Sequence, residues 1–161
     1  MPSEDIRWPV GGEIDILENR GRISNISSSA LHFGKQWNKK STLVGEALIP
    51  RQVRFQDKFH SISLVWKENY IAFYLDNSPD PYFTINSDHP EFQKYKYPFN
   101  RDYYMILNVA VGGKYDDYWV DFDAFCNDEE CSNKEDPDSH RFIIDWIEYC
   151  LLYTSDAADE W

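Results

Sequence analysis

Apolar residues at alternate positions between residues 62 and 75 constrain this chain more than any other feature. The alternation puts Ile62, Leu64 and Trp66 on one face and Phe59, Ser61 and Ser63 on the other. After the polar stretch 67–70, a second run brings Ile71, Phe73 and Leu75 together. A period of two suits a strand buried on one side, so the two runs read as a hairpin with a short polar turn. Similar runs at residues 12–18, 30–33, 103–109 and 142–149 predict further strands, separated by clusters of Gly, Pro, Asn and Asp. No segment carries a helical face long enough to be convincing. Many short strands with turn-rich joints predict an all-β, antiparallel sandwich or jelly roll.

A chain of 161 residues suits one domain, and 17% aromatic residues argue against disorder. No apolar run approaches the roughly 18 residues of a membrane span, and the first ten residues lack the pattern of a signal peptide. The net charge of -12 repels phosphate backbones and anionic lipid, which argues against nucleic acid and membrane surfaces as partners. That acidity is local. Residues 116–138 hold ten acids against Lys134 alone, and Asp156, Asp159 and Glu160 follow near the end. The acidic loop has Asp121 and Asp123 but lacks the glycine and terminal glutamate of an EF-hand, so it reads as a solvated loop.

The end of the chain stands apart. Residues 150–160, CLLYTSDAADE, resemble the translation of a sequencing-library adapter, so residues 150–161 are expected to be a non-native tail after a domain spanning 1–149. Setting Cys150 aside leaves Cys126 and Cys131, an even pair. They suit a local disulfide in an oxidising, secreted setting; two free thiols or half a metal site are the alternatives.

The chemistry is concentrated in Gly12-Glu-Ile-Asp-Ile-Leu-Glu18. On a strand, Ile14 and Ile16 fill a core while Glu13 and Asp15 line the opposite face. Glu18 breaks the parity, because a regular strand would turn it into the core, where an unpaired carboxylate is too costly. One extra residue at Ile16 and Leu17, a β-bulge, returns Glu18 to the face of Glu13. Bulges of this kind are common beside active sites.

The acid spacing alone is expected about once by chance in so acidic a chain, so context must discriminate. The string WPVGGEIDILENRG, starting at Trp8, resembles the active-site motif of glycoside hydrolase family 16. Collinear blocks continue the resemblance to its laminarinase-like branch: ALHFG from Ala30, FHSISLVWKENYIAFYLDN from Phe59, YPFNRDYYMILNVAVGG from Tyr97 and FIIDWIEY from Phe142. The resemblance implies a concanavalin-like β-jelly-roll sandwich and a retaining endo-hydrolase of β-linked glucans, β-1,3-glucan such as laminarin above all. By position, Glu13 is the implied nucleophile, Glu18 the general acid/base, and Asp15 the acid that tunes Glu13. Two carboxyl groups are the minimum for double displacement, and a third between them keeps one proton resident, expected on Glu18.

Trp8 is a candidate sugar-stacking platform, with a core tryptophan as the alternative. His32 resembles the family's histidine beside the catalytic strand, placed to hydrogen-bond Asp15. Trp37, Trp66 and Trp119 are further aromatics able to line subsites, but lone aromatics are more often core than platform, so they are left out of the candidate site. Asp145 occupies the position of an aspartate that binds a structural calcium in many relatives, and no other cofactor is implied. In this family roughly half the catalytic domain precedes the motif. Met1 is therefore expected to lie inside a longer, secreted protein, with the jelly roll of this chain incomplete and the parent acting extracellularly as a monomer. Rival readings are a non-catalytic β-1,3-glucan recognition protein, which loses catalytic acids, a cell-wall transglycosylase with the same acids, and a calcium-dependent adhesion domain.

Overall fold

In the computed structural model, which describes residues 1–3, 5–120 and 142–151, two antiparallel sheets of three strands carry the fold. Strands β1 (Glu13–Asn19), β2 (Ile26–Gln36) and β3 (Lys39–Leu48) pair in that order; β4 (Ile62–Lys67), β5 (Tyr70–Leu75) and β6 (Phe83–Asn86) form the other sheet. The expected hairpin is β4–β5, with Ile62 opposite Leu75, Leu64 opposite Phe73 and Trp66 opposite Ile71. Regular helix among the described residues is confined to one turn, α1 (Glu91–Lys94), and short 3-10 segments. The all-β sandwich agrees with the sequence reading.

The sheets meet face to face. Leu31 and Phe33 of β2, Ile71 and Phe73 of β5, Ile85 of β6, Phe92 of α1 and Phe99 form one buried cluster. Each such side chain contributes about 1.5–3 kcal/mol on leaving water. Because successive side chains alternate, burying Leu31 and Phe33 commits His32 to the other face of the sheet. The core thus fixes which side of the sheet is available for chemistry.

Strands β3 and β6 lie outside the predicted set. Gly45 weakens the strand signal of β3, yet a Cβ there would fall 2.2 Å from Phe83 Cβ, so close approach of β3 to β6 requires the glycine. Strand β6 has only four residues, too few for periodicity to be read.

Two predicted strands are corrected. Of residues 103–109 only Tyr103 pairs, in an isolated bridge with Pro2, flanked by Ser3 N–H to Asp102 O at 2.9 Å and Tyr104 N–H to Met1 O at 2.8 Å. Met105, Ile106 and Leu107 are exposed. Residues 142–149 form no strand either, and Ile143, Trp146 and Ile147 are exposed. Alternation makes a segment able to be a strand, but a strand exists only by pairing, and no described segment continues a ladder alongside these two.

The chain divides into two units, Met1–Asn108, which holds both sheets, and Val109–Trp161, whose described part holds a 3-10 turn at Lys114–Asp116. Cys126 and Cys131, the acidic stretch 121–138 and most of the expected tail lie outside the described residues. Cys150 is exposed, with a free thiol.

Candidate active site

Strand β1 presents its acids through the register it keeps with β2. Glu13 faces His32 and Asp15 faces Ala30, but Glu18 faces Ser28, one residue short of regular pairing. Ile16 and Leu17 together therefore oppose Ser29 alone. This is the expected bulge, at the expected residues. Residues directly opposite one another share a face, so Glu13, Asp15 and Glu18 stand with His32, Ala30 and Ser28. That face is opposite the one on which Ile14 and Leu31 join the core.

The turn before β1 is fixed from below. Gly12 has φ of +80°, and an added Cβ would lie 2.6 Å from the Tyr103 hydroxyl and 2.9 Å from Phe99. Tyr103 in turn donates its hydroxyl proton to Gly11 O at 2.6 Å. Glu13 is thereby delivered to the start of the strand by a glycine turn clamped on the aromatic core.

Around the acids, hydrogen bonds are specific. The Trp8 indole Nε1–H donates to Glu13 Oε2. His32 Nε2 lies 3.1 Å from Asp15 Oδ2, and His32 Nδ1 lies 2.8 Å from Thr42 Oγ1 on β3. The ring thus stands between the two strands' polar groups, in contact with the Asp15 carboxylate through Nε2 and hydrogen-bonded to the Thr42 hydroxyl through Nδ1. Burial pushes the Glu13 carboxyl above the usual glutamate range, the Asp15 charge adds to this, and the Trp8 hydrogen bond opposes it. Burial raises Glu18 as well, again reinforced by Asp15. Three carboxylates on one half-buried face resist full ionisation, so a proton is retained there at higher pH than on an exposed glutamate.

Aromatic groups extend the face beyond Glu13. Trp37, at the β2–β3 turn, is 70% exposed, and its ring centroid lies 5.0 Å from that of Trp8. Lys40 Nζ stands 5.1 Å from the Trp8 ring and 5.7 Å from the Trp37 ring. Trp37, left out of the candidate site by sequence, thus stands beside it: its position at a hairpin turn, after strand residues exposed at Lys35 and Gln36, is the signal that separates it from a core tryptophan. Trp66 is core, its Nε1–H bonded to Phe99 O at 2.8 Å. Trp119 is exposed in the second unit. Thr42, Lys40 and Ser29 were invisible to motif reading, because their relevance comes only from strand register.

Asp145 is exposed in the second unit, and among the described residues no three His, Cys, Asp or Glu side chains converge to hold a metal ion. The expected structural calcium thus has no ligand set among the described residues.

Comparison with known proteins places these features in context. The chain matches the family described as glycosyl hydrolases family 16 over residues 1–147. It is 34% identical over 125 residues to the glucan endo-1,3-beta-glucosidase A1 of Niallia circulans, covering 72% of this chain and 18% of the relative. It is 32% identical over 126 residues to a beta-1,3-glucan-binding protein of Penaeus monodon, covering 66% of this chain and 34% of the relative. In fold it is similar to a family 16 endo-glucanase from Bacteroides ovatus, with a TM-score of 0.50 and 24% identity over 63% of this chain and 42% of that one. The chain spans less than half the length of each of these proteins.

Proposed function

From the premise that this chain belongs to glycosyl hydrolases family 16, we propose that it carries the catalytic strand of a retaining endo-hydrolase acting on β-linked glucans, with β-1,3-glucan such as laminarin as the substrate. The observation that carries this reading is the bulged register of β1, which gathers Glu13, Asp15 and Glu18 on one face beside His32. Similarity to both a glucanase and a glucan-binding protein supports the substrate class. The parent protein acts outside the cell as a monomer on the polysaccharide.

In the first step a Glu13 carboxylate oxygen attacks the anomeric carbon while the Glu18 carboxyl gives its proton to the departing glycosidic oxygen. The C–O bond to the leaving sugar breaks as the glycosyl ester to Glu13 forms. Glu18, now ionised, then takes a proton from water, whose oxygen displaces Glu13 and restores both acids. The charge of Asp15, in contact with His32, adds to burial in raising the Glu18 carboxyl and so opposes ionisation of Glu18 until its proton is needed. Side chains and water suffice for these steps.

Release of reducing sugar from laminarin by the natural full-length protein, abolished by Glu13→Gln, is the expected result. Binding of laminarin without release would favour the glucan-recognition reading suggested by the Penaeus monodon relative. Transfer of the glycosyl group to an added oligosaccharide in preference to water would favour a transglycosylase.

A further inference from the structure

The bulge that aims Glu18 has a mechanical support that reaches it from the second sheet. Ser29 is the residue that opposes both Ile16 and Leu17, and it is fully buried. Its hydroxyl donates to the Ile16 carbonyl at 2.7 Å, giving a partner to a backbone group in the irregular part of the ladder. A serine hydroxyl has one proton, and here that proton is spent on Ile16. The 2.6 Å contact between Ser29 Oγ and the Tyr82 hydroxyl must then have Tyr82 as donor. Burial raises the Tyr82 hydroxyl pKa, which keeps that proton in place. Tyr82 leads into β6, and its own N–H is tied to Phe73 O at 2.9 Å. The chain of donors therefore runs from the second sheet, through Ser29, to the bulge.

We infer that Ser29 and Tyr82 are positioning residues for catalysis, locking the bulge so that Glu18 points at the glycosidic oxygen. The period of two gives the bulge this control. Without the extra residue Glu18 would pair with Ser27 and turn to the core side, while Leu17 would take its place on the acid face. Anything that loosens the Ile16 carbonyl loosens the device that decides where Glu18 points. Glu13 lies before the bulge and is held separately, by the Gly12 turn and Trp8. The two acids should thus respond differently to loss of the lock.

This inference rests on the hydrolase reading above, and substrates that differ only in leaving group separate the two. A laminarin linkage needs a proton from Glu18 to break, whereas a dinitrophenyl oligoglucoside leaves without one and reports on Glu13. In the natural full-length protein, Tyr82→Phe and Ser29→Ala are expected to lower kcat/KM on laminarin about tenfold or more, with kcat/KM for the dinitrophenyl substrate, which reports formation of the glycosyl-enzyme alone, changed less than about twofold. The alkaline limb of the laminarin pH profile should shift in both variants, and Ser29→Thr, which keeps the hydroxyl, should recover most of the rate. Equal losses of kcat/KM on both substrates, or full activity on laminarin in folded Tyr82→Phe, would overturn the inference. Should Ser29→Ala not fold, Tyr82→Phe, which removes a single hydroxyl, decides it. If the wild-type protein cleaves neither substrate, the hydrolase reading itself fails and this inference falls with it.

Discussion

His32 Nε2 lies 3.1 Å from Asp15 Oδ2, and the same ring is hydrogen-bonded through Nδ1 to Thr42 Oγ1 at 2.8 Å. Adjacent strands thus hold one another's polar groups in line: Thr42 holds the His32 ring, and the ring stands beside the acid between the two glutamates. Truncation in His32→Ala leaves Asp15 without that partner. Loss of the contact that orients Asp15 should lower kcat on laminarin about tenfold, with little change in KM. Thr42→Val should give a smaller loss in the same direction. Steady-state kinetics on both variants check the order.

The raised carboxyls make a stability prediction with a definite sign. Burial holds Glu13 and Glu18 above their ordinary value of 4.5, so between that value and the raised one the folded state binds more protons than the unfolded chain. Stability then falls as pH rises through this window. Glu13→Gln and Glu18→Gln remove the cost of ionising a half-buried acid. Each should raise Tm at pH 7 while lowering activity, and the gain should disappear as pH drops below 4.5. Thermal unfolding of the two variants across pH tests the sign.

Gly12 is a place where backbone and packing both forbid a side chain. At φ of +80°, an added methyl would strike Tyr103, Pro98 and Phe99 at less than 3 Å. Left-handed strain of about 1–2 kcal/mol adds to an overpacking cost of about 1–3 kcal/mol. Gly12→Ala should therefore destabilise the protein by at least about 2 kcal/mol in denaturant unfolding, and far more than Gly21→Ala, whose Cβ meets nothing within 4 Å.

The site was legible where local parity sufficed and opaque where partners were needed. Three acids on a strand of alternating aliphatics force a bulge, because the alternative buries Glu18, so the register shift between Asp15 and Glu18 could be read from the residues alone. The β4–β5 hairpin was legible for the same reason. Strand β3 was not, since Gly45 obeys the approach of Phe83 rather than any local preference. Residues 103–109 and 142–149 erred in the opposite direction: their alternation is clear, but pairing depends on a neighbour that no local pattern supplies. Trp37 was passed over because a lone tryptophan is more often core than platform, while its place at a hairpin turn leaves it 70% exposed.

That exposure separates the roles of two tryptophans. Trp37 contributes little to the core, so Trp37→Ala should leave Tm nearly unchanged. If its ring, set beside Trp8, carries a sugar face, the same substitution should raise KM for laminarin about 2–10-fold, the loss expected for one aromatic stacking contact. Trp8→Phe removes the donor to Glu13 and should act on kcat instead. Opposite patterns in the two variants would reverse these assignments.

The bulge also has a stereochemical consequence. Glu13 and Glu18 face His32 and Ser28, four residues apart on β2, which on a flat strand is a rise of about 13 Å. That is far for two carboxyl groups to serve one bond. A bulge bends its strand and increases the local twist, so extended glutamate side chains on the concave side can converge to the ~5–5.5 Å separation that leaves no room for an intervening water. Under the proposed mechanism, direct attack by Glu13 and net retention are the expected outcome. The natural full-length enzyme should release the β-anomer first from a β-glucan, Glu13→Gln should abolish the glycosyl-enzyme, and Glu18→Gln should chiefly slow substrates with poor leaving groups. Time-resolved NMR of the first product checks the outcome: an initial α-anomer, or carboxyl groups ~6.5–9.5 Å apart in a substrate complex, would overturn both the double-displacement mechanism and the part the bulge plays in it.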